Sequence, residues 1–190
     1  MNKPGIILLA DKAGCLNDLS AEFMPLPEFN AALAPILESS LECFVVLSGS
    51  DALWEQRLDE LGIHWSVCPD AHLGLDACAA FGVHCTQSWQ SWIIDVASTP
   101  ATPVELYRAL SGAVRRYPIA SAHSKDGKRS FPIAFDCSYG CPLMNHKNGI
   151  LASALESHPS DAQMNWLNLS FASPAPSPIP KPNQLRDVRV

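Results

Sequence analysis

The chain has 190 residues, enough for one domain with a sizeable core. Hydrophobic residues make up 47% and charged residues 17% of the sequence, which is the composition of a globular protein and excludes a disordered or fibrous one. The net charge is −6, with only 13 Lys and Arg residues, so there is no general basic field and we expect no nucleic-acid partner.

The apolar runs and the cysteines bear on the compartment. The run from Ile6 to Ala10 is too short for a signal segment or a membrane span, and no other run approaches about twenty apolar residues. We therefore expect a cytoplasmic protein without a membrane partner. The seven cysteines are an odd number and scattered, which predicts reduced, mostly buried thiols.

Strand and helix patterns alternate along the first 114 residues. Apolar runs predict strands at 6–10, 43–47, 63–68 and 92–96. Helical spacing predicts a helix at 31–41 capped by Asn30, one with a face from Leu53 to Leu61 after the Asp51 turn, one at 75–83, and one that begins at Pro103 with Thr102 as its cap. Repeated strand and helix units predict a mostly parallel sheet with helices on both faces.

The remainder of the sequence predicts a hairpin, a helix and a tail. Extended runs at 118–122 and 130–135 flank an Asp-Gly turn, and a helix is expected at 150–155. Prolines alternate from residue 174 to residue 182, a composition that favours extended polyproline conformation. We predict a domain over 1–172 and a proline-rich tail over 173–190.

Five short strings stand in a fixed order, at 45–51, at 68–70 with Gly74 and Gly82 downstream, and at 102–106, 126–132 and 149–159. Together they resemble the molybdenum-cofactor nucleotidyltransferases of the MobA/MocA type over residues 5–185. The resemblance implies a Rossmann-like three-layer α/β/α fold with a mostly parallel sheet. It also implies nucleotidyl transfer, in which the phosphate of molybdopterin attacks the α-phosphate of CTP or GTP while Mg²⁺ assists the loss of pyrophosphate.

The chain departs from this family at its charged positions. The family's glycine-rich loop after the first strand carries an Arg and a Lys, and here those positions are Leu16 and Ala21. Ser98 stands where the family has its Mg²⁺-binding Asp, and prolines replace both acidic residues of the family's closing motif, which falls at 178–182. A hydroxyl is a weak substitute for a carboxylate ligand. We therefore predict impaired transfer and name no metal-binding residue; Mg²⁺ with CTP or GTP is expected only if the protein is active.

The candidate site residues follow from the resemblance. The candidate catalytic residues are Asp11, Lys12 and Asp95, and the candidate ligand-binding residues are Leu9, Ala10, Gly14, Gly74 and Ser98. Two of them also have ordinary interpretations, because Gly14 is compatible with a simple turn and Asp95 with a polar residue paired locally at a strand end. An odd offset along a strand separates Asp95 from Ser98, which places them on opposite faces.

Three functions are compatible with the sequence. They differ in whether the protein is an enzyme, and that question stays open. The first is a MobA/MocA-like protein that has lost catalysis and binds a nucleotide, a pterin or a molybdoenzyme partner. The second is an active nucleotidyltransferase with an atypical site. The third is a structural protein with a closed cleft.

Overall fold

A seven-stranded sheet forms the centre of the protein. The computed structural model describes residues 4–10, 24–97, 101–123, 129–156 and 166–170. The described strands are β1 (Gly5–Ala10), β2 (Cys43–Leu47), β3 (His64–Val67), β4 (Ser91–Val96), β5 (Ile119–His123), β6 (Arg129–Asp136) and β7 (Trp166–Ser170). Their spatial order is β3-β2-β1-β4-β6-β5-β7. All neighbouring pairs are parallel except the two that involve β6.

Helices cover both faces of the sheet. The described α-helices are α1 (Leu26–Ser39), α2 (Ala52–Glu60), α3 (Leu75–Cys85), α4 (Val104–Ala113), α5 (Gly140–Met144) and α6 (Ile150–Glu156). Alternate residues of β1 point to opposite faces: Ile6 and Leu8 join a core with α1, α2 and α4, whereas Ile7 and Leu9 join a core with α3, α5 and α6. This three-layer α/β/α arrangement confirms the expected fold class.

Most predicted elements are confirmed, including the strand at 43–47, the hairpin and the Asp51 cap, whose Oδ1 accepts hydrogen bonds from the amides of Leu53 and Trp54. The predicted start of α1 is wrong. This helix begins at Leu26, because Pro25 and Pro27 fit a first turn that needs no amide donors. Asn30 therefore does not cap it and instead accepts a hydrogen bond from Arg57 Nε at 2.8 Å.

Three further features of the structure differ from the predictions. Helix α4 begins at Val104 with Pro103 at the N-cap position, so Thr102 does not cap it. Strand β7 and the short helix α5 were not predicted. The six described cysteines are free as expected, but Cys85, Cys137 and Cys141 are exposed, so the thiols are not mostly buried.

The predicted tail at 173–190 lies outside the described residues. Among the helices that are described, none has the length and apolar character needed to cross a membrane.

Close packing of α3 on the sheet predicts the effect of substituting Gly82. A Cβ there would lie 2.7 Å from Ile7 Cγ2 and 3.0 Å from Val46 Cγ2. We expect Gly82→Ala to lower the free energy of unfolding by about 1–3 kcal/mol, measured by urea denaturation, because the buried strands must shift.

Gly112→Ala is the matched control. Gly112 also lies in a helix, but a Cβ there meets nothing within 4 Å. That variant should be stabilised by roughly 0.5–1 kcal/mol through helix propensity alone. Equal stabilisation of both variants would contradict the close contact between α3 and the sheet.

Candidate functional site at the C-terminal edge of the sheet

The C-terminal ends of four parallel strands meet at one edge of the sheet. Backbone hydrogen bonds join them beyond the strands themselves: Ser48 N donates to Ala10 O at 3.1 Å, Cys68 N to Leu47 O at 2.9 Å, and Ala97 N to Leu9 O at 2.9 Å. Helices α2, α3 and α4 begin at the same edge. Open α/β sheets bind their ligands outside the carboxyl ends of the strands, so this edge is the candidate site.

The structure places four of the predicted site residues at or near this edge. Leu9 and Ala10 are the last residues of β1 and are each 1% exposed, on opposite faces. Asp95 lies beside Leu8 in the next strand. Gly74 immediately precedes α3. The other four, Asp11, Lys12, Gly14 and Ser98, lie outside the described residues.

Gly74 is required by the backbone conformation of the turn before α3. Its φ is +101°, a backbone angle that residues with a side chain rarely adopt, and a Cβ there would meet nothing within 4 Å. Its carbonyl accepts the amides of Ala77 and Cys78 at 3.1 and 3.2 Å, which starts the helix. The turn therefore selects glycine for φ and leaves open space beside it.

Asp95 is buried on the α4 side of the sheet, with 2% of its surface exposed. Its Oδ2 accepts a hydrogen bond from the Tyr107 hydroxyl at 2.6 Å, and its Oδ1 accepts one from the Val96 amide at 2.8 Å. The Thr102 side chain also hydrogen-bonds to this carboxylate. Both oxygens are thus engaged by groups of β4, of α4 and of the segment that leads into α4.

Opposing effects set the pKa of Asp95. Burial raises the pKa above the ordinary value, because the charged form loses its hydration, and the hydrogen bonds from Tyr107, Thr102 and Val96 lower it. Burial and the Asp95 charge raise the pKa of Tyr107 in turn, so its hydroxyl keeps its proton and donates. The arrangement fixes the start of α4 to the end of β4.

The sequence analysis missed two partners that matter here. Tyr107 is the donor to Asp95, and its signal was a tyrosine on the buried face of α4, since a buried phenol needs a hydrogen-bond partner. Asp76 Oδ1 accepts the amide of Leu151 at 2.9 Å and so joins α3 to the first turn of α6. No local pattern links residues 75 positions apart.

The described part of the structure includes cavities near both edges of the sheet. A cavity of about 190 Å³ lies beside α3, near the candidate edge, and is lined by Cys68, Asp70, His84 and His146 among others. A larger one of about 700 Å³ lies at the opposite edge, where Cys43 and His64 begin β2 and β3. Within the described residues, no three His, Cys, Asp or Glu side chains are grouped to hold a metal ion.

No protein-family model matches the sequence, and no curated protein matches it significantly. Solved structures do match. Rv0371c from Mycobacterium tuberculosis H37Rv, in complex with manganese, has a TM-score of 0.64 at 14% identity and covers 90% of this chain and 89% of its own. A nucleotidyl transferase from Methanothermobacter has a TM-score of 0.65 at 12% identity, with 92% and 89% covered.

A third match is CMP:2-keto-3-deoxy-manno-octonic acid synthetase complexed with CTP, with a TM-score of 0.62 at 12% identity and 90% of each chain covered. At these identities the likeness is one of fold. The chain has the Rossmann-like fold of the nucleotidyltransferases.

The hydrogen bond from Tyr107 predicts a pH-dependent stability effect. It lowers the pKa of Asp95 because it favours the ionised carboxylate, so Tyr107→Phe should raise that pKa further. We expect a loss of about 1–3 kcal/mol in the free energy of unfolding at a pH where the folded wild type holds Asp95 ionised, because the buried charge then loses a donor.

The sign of the pH dependence follows from linkage. Below the pKa of a free aspartate, roughly pH 4, both folded proteins hold the neutral acid, and Tyr107→Phe should cost least. The cost should grow as the pH rises through the raised pKa of the folded wild type. Urea denaturation between these conditions measures it, and a pH-independent cost would contradict an ionising Asp95.

Proposed function

We propose that the chain is a cytoplasmic, MobA/MocA-like binding protein related to molybdenum-cofactor maturation, in which metal-assisted nucleotidyl transfer is impaired. Its ligand is a nucleotide or a pterin, bound at the C-terminal edge of the sheet by the domain over 1–172, or a molybdoenzyme partner at the same edge. The observation that carries the proposal is the state of Asp95, whose oxygens are already engaged by Tyr107, Val96 and Thr102.

The charge argument explains why Asp95 matters. Transfer from a nucleoside triphosphate needs a carboxylate to hold Mg²⁺ and cations to balance the phosphates. Ser98, Leu16 and Ala21 stand at the positions where the resemblance expects those groups. Among the described residues, Asp95 is the carboxylate of β4, the strand that precedes Ser98, and it is buried on the α4 side.

Asp11 adds to the same effect. It directly follows β1 in the sequence, and two like charges about 4 Å apart repel by about 1 kcal/mol even in water. Lys12 offsets part of this repulsion. A triphosphate would therefore bind weakly, whereas a pterin or a nucleotide with less charge would meet less opposition.

One observation favours the second candidate, an active nucleotidyltransferase with an atypical site that uses Asp11, Lys12 and Asp95. Buried carboxyl groups with a raised pKa are common at catalytic sites, and burial raises the pKa of Asp95. The two candidates differ in one measurable property, which is whether a nucleotide binds in a metal-dependent way.

A thermal-shift screen tests the proposal directly. The full chain is heated with CTP, GTP, ATP or a molybdopterin-like pterin, each with Mg²⁺, with Mn²⁺ and with a chelator; manganese and CTP are included because structural neighbours are complexes with them. Ligand at a hundred times its dissociation constant stabilises by about 2.7 kcal/mol, a readily measured shift.

We expect no shift with CTP, GTP or ATP, because the triphosphate lacks its cations, and a shift with the pterin that is the same with metal and with chelator. A shift of several degrees that needs Mg²⁺ or Mn²⁺, accompanied by pyrophosphate release, would replace the proposal with the active transferase. Silence towards every small molecule would leave the partner-binding and structural alternatives.

A single substitution tests the charge argument. Ser98→Asp should leave pyrophosphate release from CTP or GTP at the background level, because Leu16 and Ala21 still lack the cations that a triphosphate needs. Ser98→Asn is the matched control, of the same size without the charge. If Ser98→Asp released pyrophosphate faster than Ser98→Asn, one carboxylate would be sufficient and the charge argument would fail.

A further inference from the structure

Two cysteine side chains meet at the turn between β3 and α3. Cys68 directly follows β3 and is 3% exposed, and Cys78 lies in the first half of α3 and is 6% exposed. Their side chains are within hydrogen-bonding distance of each other. Cys68 Sγ also lies 4.0 Å from the carbonyl oxygen of Ala77, the residue before Cys78. Neither sulfur is part of a disulfide.

The 190 Å³ cavity gives one of these thiols access to small molecules. Cys68 lines it together with His84 and His146. The cavity has room for several water molecules, since each occupies about 30 Å³ in the liquid. A hydrogen peroxide molecule therefore fits into it. The two imidazoles are nitrogen bases that line this cavity and would accept a thiol proton.

The surroundings of Cys68 act on its ionisation in both directions. Burial is the largest effect and keeps the pKa of the Cys68 thiol above its ordinary value, and the Asp70 carboxylate also raises it. Hydrogen bonds from the Asp70 backbone amide and from the Cys78 side chain lower it, because both donate to the thiolate. The thiol that faces the cavity is thus also the one whose thiolate has two donors in place.

We propose that Cys68 and Cys78 are a redox pair that hydrogen peroxide oxidises to a disulfide. The Cys68 thiolate attacks one peroxide oxygen, the O–O bond breaks, and the departing hydroxide takes up the displaced proton as water, which leaves a sulfenic acid on Cys68. The Cys78 sulfur then attacks the Cys68 sulfur, and the S–O bond breaks with release of a second water. The peroxide gains two electrons, and each thiol loses one.

The disulfide would close a loop over 68–78. This loop contains Gly74, at the candidate edge, and Asp76, which holds the first turn of α6. Oxidation therefore fixes the spacing between the end of β3 and the start of α3. The proposal concerns the thiols themselves and does not depend on which ligand the edge binds.

The experiment maps the disulfide in the full chain. Protein reduced with dithiothreitol is treated with hydrogen peroxide, and free thiols are then alkylated. Cleavage before aspartate separates the two cysteines, because Asp70 and Asp76 lie between them. Mass spectrometry should find the two peptides joined, with a mass about 2 Da below their sum owing to the loss of two hydrogens.

Three serine variants identify the sulfurs. Cys85→Ser should keep the link, which shows that Cys85, on the same cleaved peptide as Cys78, is not the partner. Cys78→Ser should lose it and instead allow dimedone to label Cys68 as the sulfenic acid. Cys137→Ser is the control at an exposed thiol outside α3 and should behave as the wild type.

The wild-type map alone is enough to overturn the proposal, so it does not rely on a variant that folds. Oxidation of Cys85, Cys137 or Cys141 with Cys68 and Cys78 still alkylated would overturn it. A link from Cys68 that persists in Cys78→Ser would do the same, since the partner would then be a different sulfur.

Discussion

Strand β1 lies between β2 and β4, and each of its residues from Ile6 to Ala10 is at most 1% exposed. A strand in this position must have its backbone paired on both sides and its side chains covered on both faces. The first requirement aligns β2 and β4 parallel to it. The second brings helices onto both faces, and one of them approaches so closely that Gly82 has no room for a Cβ. The common C-terminal edge of the strands, where the candidate site lies, is a consequence of burying β1.

The same constraint determines what a carboxylate in β4 can do. Asp95 lies beside Leu8 of β1 and is 2% exposed, so its carboxyl group must find its hydrogen-bond donors within the protein. Tyr107 and Thr102 supply them from α4 and the segment before it. The polar group thereby becomes part of the contact between a strand and a helix. A second use of the same oxygens, for a metal or a substrate, would require breaking that contact.

Much of the fold could be predicted from the sequence because its signals are local. Continuous apolar runs mark the strands, as at 43–47, and the Asp51 cap marks the start of α2. The errors occur where an element depends on a partner that is distant in the sequence, or where a proline can either start or end a helix. Pro25 and Pro27 start a helix instead of interrupting one, and β7 owes its position to pairing with β5. At the candidate edge, the sequence analysis named Asp95 and Gly74 but not Tyr107, since the pairing of Asp95 depends on how α4 packs.

The core of the protein depends on packing, whereas the chemistry of the candidate edge depends on charged and polar groups. Burial of β1 depends on apolar volume and on the close approach at Gly82, and neither depends on which charged residues stand outside this core. A fold can therefore persist while the groups for phosphate and metal chemistry are replaced. Loss of the packing around Asp95, in contrast, would disturb both the fold and the candidate site. The hydrogen bonds that Asp95 accepts from Val96 and Tyr107 join β4 to α4, so this polar group contributes to the packing of the edge as well as to its charge.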